Sequence, residues 1–152
     1  MHKKLLVTAY FVIAALLQTL AGNFPLSFFA FPLNVIVAVI WIYSLWRLYK
    51  EGNKLPLTRF LLSSRTSVLS ILLLIGGSLV IGLFPQLSEA EADSMPGVLA
   101  SLGCYNFMTS WIFIAILFLL LSNLAMVIIH AFYHCVRAKK RFILNHLGLW
   151  LA

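Results

Sequence analysis

Four apolar runs set the first constraint on this chain. Leu5–Ala21, Ser27–Leu45, Ser67–Phe84 and Met108–Phe132 each come close to the roughly 20 residues a helix needs to cross a hydrocarbon core of about 30 Å. Such a core holds no water to satisfy backbone N–H and C=O groups, so a spanning run of this kind folds as a helix. A fifth run opens at Phe142 and stops at Ala152, and at about 1.5 Å per residue it covers roughly half a bilayer. The composition agrees: 62% of residues are hydrophobic and 10% charged, where a soluble domain is about half apolar and about a quarter charged. Mean hydropathy is +1.02. The expected fold class is an all-α integral membrane protein with four transmembrane helices and the start of a fifth.

The basic residues orient it. Lys3 and Lys4 precede the first run. Arg47, Lys50, Lys54, Arg59 and Arg65 lie between the second and third, and Arg137, Lys139, Lys140 and Arg141 follow the fourth. These are all 11 of the basic residues. The intervening loops, 22–26 and 85–107, hold none, and the second carries Glu89, Glu91 and Asp93. Cytoplasmic loops are rich in Lys and Arg, so the N-terminus is expected in the cytoplasm and the 85–107 loop outside. The net charge of +7 is thereby explained by topology and not by nucleic acid. The partner it implies is membrane lipid. The organisation expected is a helical hairpin of two spans over 1–49, a basic cytoplasmic loop over 50–66, and a membrane region over 67–152.

His2-Lys3-Lys4 ahead of Leu5–Leu20 has the form of a signal peptide, but Thr19-Leu20-Ala21 puts a bulky Leu in the middle of the cleavage site. An uncleaved first span is the expectation. At the other end the chain stops in mid-helix without a cap. Two readings are open, a fragment of a longer protein or an interfacial segment, and the fragment is the favoured one. Cys104 and Cys135 flank the fourth run and would lie on opposite sides of the membrane, so they cannot pair. Without C-x-x-C or C-x-x-C-H, the chain has neither a thiol-redox motif nor a c-type haem attachment site of its own.

Smaller features read as packing. Ser78 and Gly82 form a small-xxx-small pair beside Gly76 and Gly77, which would let the third span approach a neighbour closely. Asn123 is the amide of the fourth span and is expected to hydrogen-bond across helices. Trp41, Trp46 and Tyr49 cluster at the inner end of the second span, and Tyr105 and Trp111 at the outer side, as interfacial aromatics do. Residues 59–65 read as a short amphipathic segment on the inner leaflet, a membrane-surface helix or a docking element.

Chemistry narrows to histidine. H-E-x-x-H, P-loop, dinucleotide-binding and nucleophile-elbow motifs are all absent. No acid falls within an apolar run, and Glu89, Glu91 and Asp93 read as solvating their loop. His130 and His134 sit four apart on one helix face. They could hold one metal from one side, or simply bond lipid head groups and carbonyls. They could not both ligate a single haem, which takes its axial ligands from opposite faces. His146 is an imidazole about one turn into the last apolar run, behind the basic cluster. An intramembrane ionisable residue is a functional candidate by default. His130 and His146 fall at similar depths on successive helices, and Arg137–Arg141 would offer cations to haem propionates. Haem ligation is one reading of His146. Interhelical hydrogen bonding is the other.

From Phe60 onward the chain resembles the N-terminal region of the ResB/CcsB family of cytochrome c biogenesis proteins, the System II haem-handling machinery. Three blocks carry the likeness. Phe60-Leu61-Leu62-Ser63-Ser64-Arg65-Thr66-Ser67-Val68 resembles the family's opening. Ser110-Trp111-Ile112-Phe113, with Asn123-Leu124 further on, resembles its tryptophan block and L-N-L sequel. Arg141-Phe142-Ile143-Leu144-Asn145-His146-Leu147-Gly148 resembles the motif opening its next helix. The resemblance implies haem as cofactor, with His146 matching the family's transmembrane histidine. It also implies a CcsA/ResC-like membrane subunit and apocytochrome c as partners, and a bacterial inner membrane location. His130 and His134 gain nothing from it. The first two runs precede the usual family start, and the large periplasmic domain is absent, so this chain alone could not attach haem and is not expected to be an enzyme by itself. The expected function is a membrane component of cytochrome c maturation that helps bind and move haem. The rivals are an anchor subunit of a b-type cytochrome or quinone-linked complex, ligating through His130 and His146, and a cofactor-free transporter subunit.

Overall fold

The computed structural model describes residues 2–52, 55–133 and 140–151. Helix is the regular structure throughout: α1 (His2–Ala21), α2 (Leu33–Lys50), α3 (Pro56–Leu61), α4 (Ser64–Leu83), α5 (Glu89–Asp93), α6 (Val98–Ser101), α7 (Trp111–Tyr133) and α8 (Lys140–Leu151). Tight 3-10 turns cover Leu26–Phe29 and Cys104–Thr109. Three of the helices, α2, α4 and α7, are long and apolar enough to cross a membrane, and the Leu5–Ala21 portion of α1 is a shorter apolar helix. In those windows 44% of α7 is buried against 17% of α4 and 6% of α2, so α7 carries the core and the other two leave apolar faces outward.

Helix ends depart from the apolar runs for local reasons. α2 begins at Leu33 rather than Ser27, because Pro32 has no N–H to continue a helical ladder from the preceding turn. It continues past Leu45 to Lys50. Glu51 is its C-cap, and Gly52 follows at φ +69°, the left-handed conformation that ends helices and that glycine adopts without penalty. α7 starts at Trp111 behind Ser110, whose Oγ accepts the Phe113 N–H at 3.1 Å as an N-cap.

The chain forms two compact units. One comprises Met1–Phe28 and Ser70–Phe118, the other Phe29–Leu69 and Leu119–Ala152.

In the first unit, Gln18 of α1 is 5% exposed. Its Oε1 accepts the Trp111 N–H at 2.8 Å, and its Nε2 donates to Asn23 Oδ1 at 3.1 Å. A helix leaves its first N–H groups without internal partners, and here a distant side chain supplies one. Gly103 packs against this amide. It sits at φ +73°, and a Cβ there would lie 2.9 Å from Gln18 Nε2. Gln86 ties the loop, its Oε1 accepting the Phe107 N–H at 2.9 Å and its Nε2 donating to the Cys104 carbonyl at 3.2 Å. Of the small-residue patch on α4, only Gly77 packs closely: a Cβ there would meet Phe107 and Phe113 at 3.3 Å, whereas Gly76 and Gly82 face open space and Ser78 is exposed. The patch therefore does not serve as a close-packing surface within the described residues.

The second unit is organised by orphan helix-end carbonyls. Thr58 Oγ1 donates to the Leu48 carbonyl at 3.2 Å, Thr66 Oγ1 to the Phe60 carbonyl at 2.6 Å, and Asn123 Nδ2 to the Leu61 carbonyl. Thr58, Thr66 and Asn123 are 1%, 2% and 4% exposed. Thr58 and Asn123 supply donors to helix-end carbonyls, and Thr66 adds a second donor to the Phe60 carbonyl, which also accepts the Ser63 N–H at 3.1 Å. Asn123 does reach across to another helix. The 59–65 segment is divided between α3 and the start of α4, with Phe60 and Leu61 buried and their carbonyls bonded by Thr66 and Asn123.

Candidate functional site: the histidine and tryptophan face of the second unit

α2 and α7 meet through polar handles on aromatic rings. Trp41 Nε1 donates to Ser122 Oγ at 3.2 Å, Trp46 Nε1 to the Tyr133 hydroxyl at 2.8 Å, and the Tyr49 hydroxyl shares a hydrogen bond with His130 Nδ1 at 3.2 Å. The first and third pairs are each separated by 81 positions, so the two helices run parallel. The three aromatics do more than mark an interface: an amphipathic ring with one polar atom packs its body and pairs its tip. His130 is exposed, with its ring edge-on to Tyr49 at 6.0 Å between centroids.

His146 lies on α8, a helix of 12 residues. Ile143 is buried, and His146, Leu147 and Trp150 are partly buried, while Leu144, Asn145, Gly148 and Leu149 are exposed. Positions 143, 146, 147 and 150 fall at i, i+3, i+4 and i+7, a single helix face. Trp150 stacks on Trp41, with centroids 6.0 Å apart and planes inclined by 16°. The face that carries His146 is thus the one α8 turns onto α2.

Trp150 brings a polar atom with it. Its Nε1 is buried and has no acceptor among the described residues. An unpaired buried N–H costs about 1–3 kcal/mol, so an acceptor from outside the described residues would relieve a standing penalty. The sequence signal for Trp150 was its place one turn beyond His146, on the same face. His134, read with His130 as a one-sided metal pair, and Cys135 lie outside the described residues. Among those described, no group of three or more His, Cys, Asp or Glu side chains could hold a metal ion.

A second polar feature lies in the first unit. A pocket of about 170 Å³ is lined by Gln18, Asn23, Ser101, Tyr105 and Asn106, among others. Its central amide, Gln18, is committed at both ends to Trp111 and Asn23, and Asn106 Oδ1 is taken by Thr109 Oγ1 at 2.8 Å. The pocket is a by-product of the loop's anchorage. Nearby, Ser88 donates to Glu91 Oε2 through both its hydroxyl (2.6 Å) and its N–H (3.1 Å), and these bonds hold the Glu91 carboxyl below its ordinary value. Burial pushes the Cys104 thiol up.

What the residues present offer a flat iron-bearing ligand is partial. His146 supplies an imidazole, Trp41 and Trp150 a planar aromatic wall, and Trp150 Nε1 one donor. The pocket of the first unit has no histidine in its lining. No family model, no curated protein and no solved structure matches this chain.

Proposed function

We propose that this chain is a membrane component of cytochrome c maturation that helps bind and move haem, with haem as its cargo and His146 as the ligand. The observation that carries the reading is the helix face Ile143–His146–Trp150. It holds a partly buried imidazole one turn from a buried N–H that has no acceptor among the described residues. Neutral imidazole is a common axial ligand of haem iron, and the Trp150 N–H is a donor suited to a propionate carboxylate. The chain order supports it too: the three blocks that resemble the ResB/CcsB family stand in family order, and the third contains His146. Lys140 and Arg141 precede the histidine in sequence and would favour an anionic cargo.

The residues here supply one side of a haem site. A CcsA/ResC-like subunit supplies the other side in this reading, and apocytochrome c receives the cargo. The chain crosses the bacterial inner membrane through α1, α2, α4 and α7, with its N-terminus in the cytoplasm and α8 re-entering. The support is the placement of all basic residues in alternate loops, on one side of the apolar runs, together with the parallel course of α2 and α7, which requires an intervening reverse crossing.

The test is a haem titration of the full chain in detergent, followed by the Soret band. His146→Ala is expected to weaken binding tenfold or more, Trp150→Phe by a few-fold, and His130→Ala not at all. Equal binding by wild type and His146→Ala overturns the assignment. Loss in both histidine variants points instead to an anchor subunit that ligates through both rings.

A further inference from the structure

α2 carries an apolar stripe that ends in positive charge. Val39, Ile42, Tyr43 and Trp46 fall at i, i+3, i+4 and i+7, one face of the helix. With Ile129 of α7 they wall an open groove of about 480 Å³. Val39, Ile42 and Tyr43 are 59%, 40% and 56% exposed along it. Four residues beyond Trp46, on the same stripe, Lys50 places its Nζ 3.9 Å from the centre of the Trp46 ring. Arg47 lies in the same last turn. Arg59 follows Thr58, whose hydroxyl bonds the Leu48 carbonyl, so the third cation is anchored to the same helix end. Lys50, Arg47 and Arg59 have no carboxylate partner among the described residues.

The dimensions are those of a lipid. From Val39 to Lys50 a helix rises about 16 Å, close to the depth of one leaflet of a core about 30 Å thick. Aromatic rings mark the boundary between the apolar wall and the cations, as they do at bilayer interfaces. A protein helix in the groove would cover the apolar wall and leave the cations unpaired. A zwitterionic lipid would fill the wall equally well but would bring its own cation to the same place. The occupant that satisfies both ends is one anionic phospholipid.

We propose that this groove binds a single anionic phospholipid, with an acyl chain along Val39, Ile42, Tyr43, Trp46 and Ile129 and the phosphate on Lys50 and Arg47. The site does not depend on haem, and its test does not involve haem. A cation at a membrane surface favours an anionic headgroup by about fivefold, so two give a preference of about 25-fold.

The experiment is native mass spectrometry of the full chain in uncharged detergent. The probes are phosphatidylglycerol and phosphatidylcholine with identical acyl chains. Wild type is expected to retain one phosphatidylglycerol and to prefer it over phosphatidylcholine about 25-fold. The pair Arg47→Gln with Lys50→Gln is expected to bring the two lipids near parity, and Lys50→Arg to keep the preference. Val39→Trp, which fills the groove, is expected to lose both adducts while its melting in lipid-free detergent stays that of wild type. Equal retention of the two lipids by wild type overturns the proposal. So does a preference that survives removal of both cations, or an adduct that survives Val39→Trp. If Val39→Trp melts early, Ile42→Ala replaces it, and unchanged adduct lifetime in that variant overturns the groove assignment.

Discussion

The side chain of Gln18 accepts the backbone N–H of Trp111 at 2.8 Å across 93 positions of sequence. The bond fastens the end of α1 to the first turn of α7, and the same amide group donates onward to Asn23. Removing it strands a buried helix-end donor. Gln18→Leu is expected to destabilise the protein by about 1–3 kcal/mol, measured as a lowered midpoint of unfolding in detergent. Gly103→Ala is expected to act on the same contact, because its Cβ meets Gln18 and its backbone is left-handed. The two substitutions together should cost less than the sum of each alone. Full additivity would show that they do not share one contact.

Asn123 is the counterpart in the second unit. Asn123→Leu leaves the Leu61 carbonyl without its partner. In a membrane such interhelical bonds average about 0.6 kcal/mol and reach about 2. A loss toward the upper end is expected here, since both groups are buried. Asn123→Asp, which cannot donate when ionised, should be no better than Leu. An Asp variant as stable as wild type with its carboxyl ionised would refute the donor role.

These two amides show what the sequence could and could not disclose. The long apolar runs were legible because hydrocarbon dictates helix, and Asn123 was legible because a lone amide in such a run must find a partner. Gln18 was not. It sits near the end of its run, and its partner is a backbone N–H whose exposure depends on where α7 begins. α2 begins later than its apolar run because apolarity continues through Ser27–Phe31, while Pro32 fixes where helical bonding resumes. The amphipathic pattern of 59–65 is visible in the sequence, whereas the bonds of the Phe60 and Leu61 carbonyls to Thr66 and Asn123 are not written in side-chain identity. For the candidate site, His146 was chosen as an isolated imidazole in an apolar helix. Trp150 carries no signal in the sequence beyond its spacing from His146, and its buried N–H emerges only once the ring is packed on Trp41.

Glu91 gives a pH prediction. Its carboxyl is held below the ordinary value of 4.5 by the Ser88 hydroxyl and N–H. A depressed carboxyl stabilises the fold above its unfolded value and loses that contribution as pH falls through the folded one. The cap on α5 should therefore hold through mildly acidic pH and open only below 4.5. Carbon NMR of the Glu91 side chain should give a midpoint under 4.5, and Ser88→Ala should raise it part of the way, since the backbone N–H bond remains. A midpoint unchanged by Ser88→Ala would rule out the hydroxyl as the cause.

Cys104 should be a slow nucleophile. Burial raises its thiol above 9.0, and the thiolate is the reactive form. In a Cys135→Ser background, alkylation at pH 8 should proceed several-fold slower than for a small-molecule thiol of ordinary acidity, and the rate should still be rising past pH 9.0. A rate plateau at or below that pH would contradict it.

The parallel course of α2 and α7 has a consequence for how the chain is made. Two candidate spans that point the same way in one bilayer must be joined by an odd number of traversals, and α4 is the candidate span between them. A ribosome releasing this chain would set Trp41 and Tyr49 in place 81 residues before Ser122 and His130 emerge. Should α4 stall outside the translocon, α7 would enter upside down, and every one of those aromatic handles would face the wrong end of its mate. Fidelity of the whole assembly therefore turns on the insertion of a helix that itself contributes none of the paired rings.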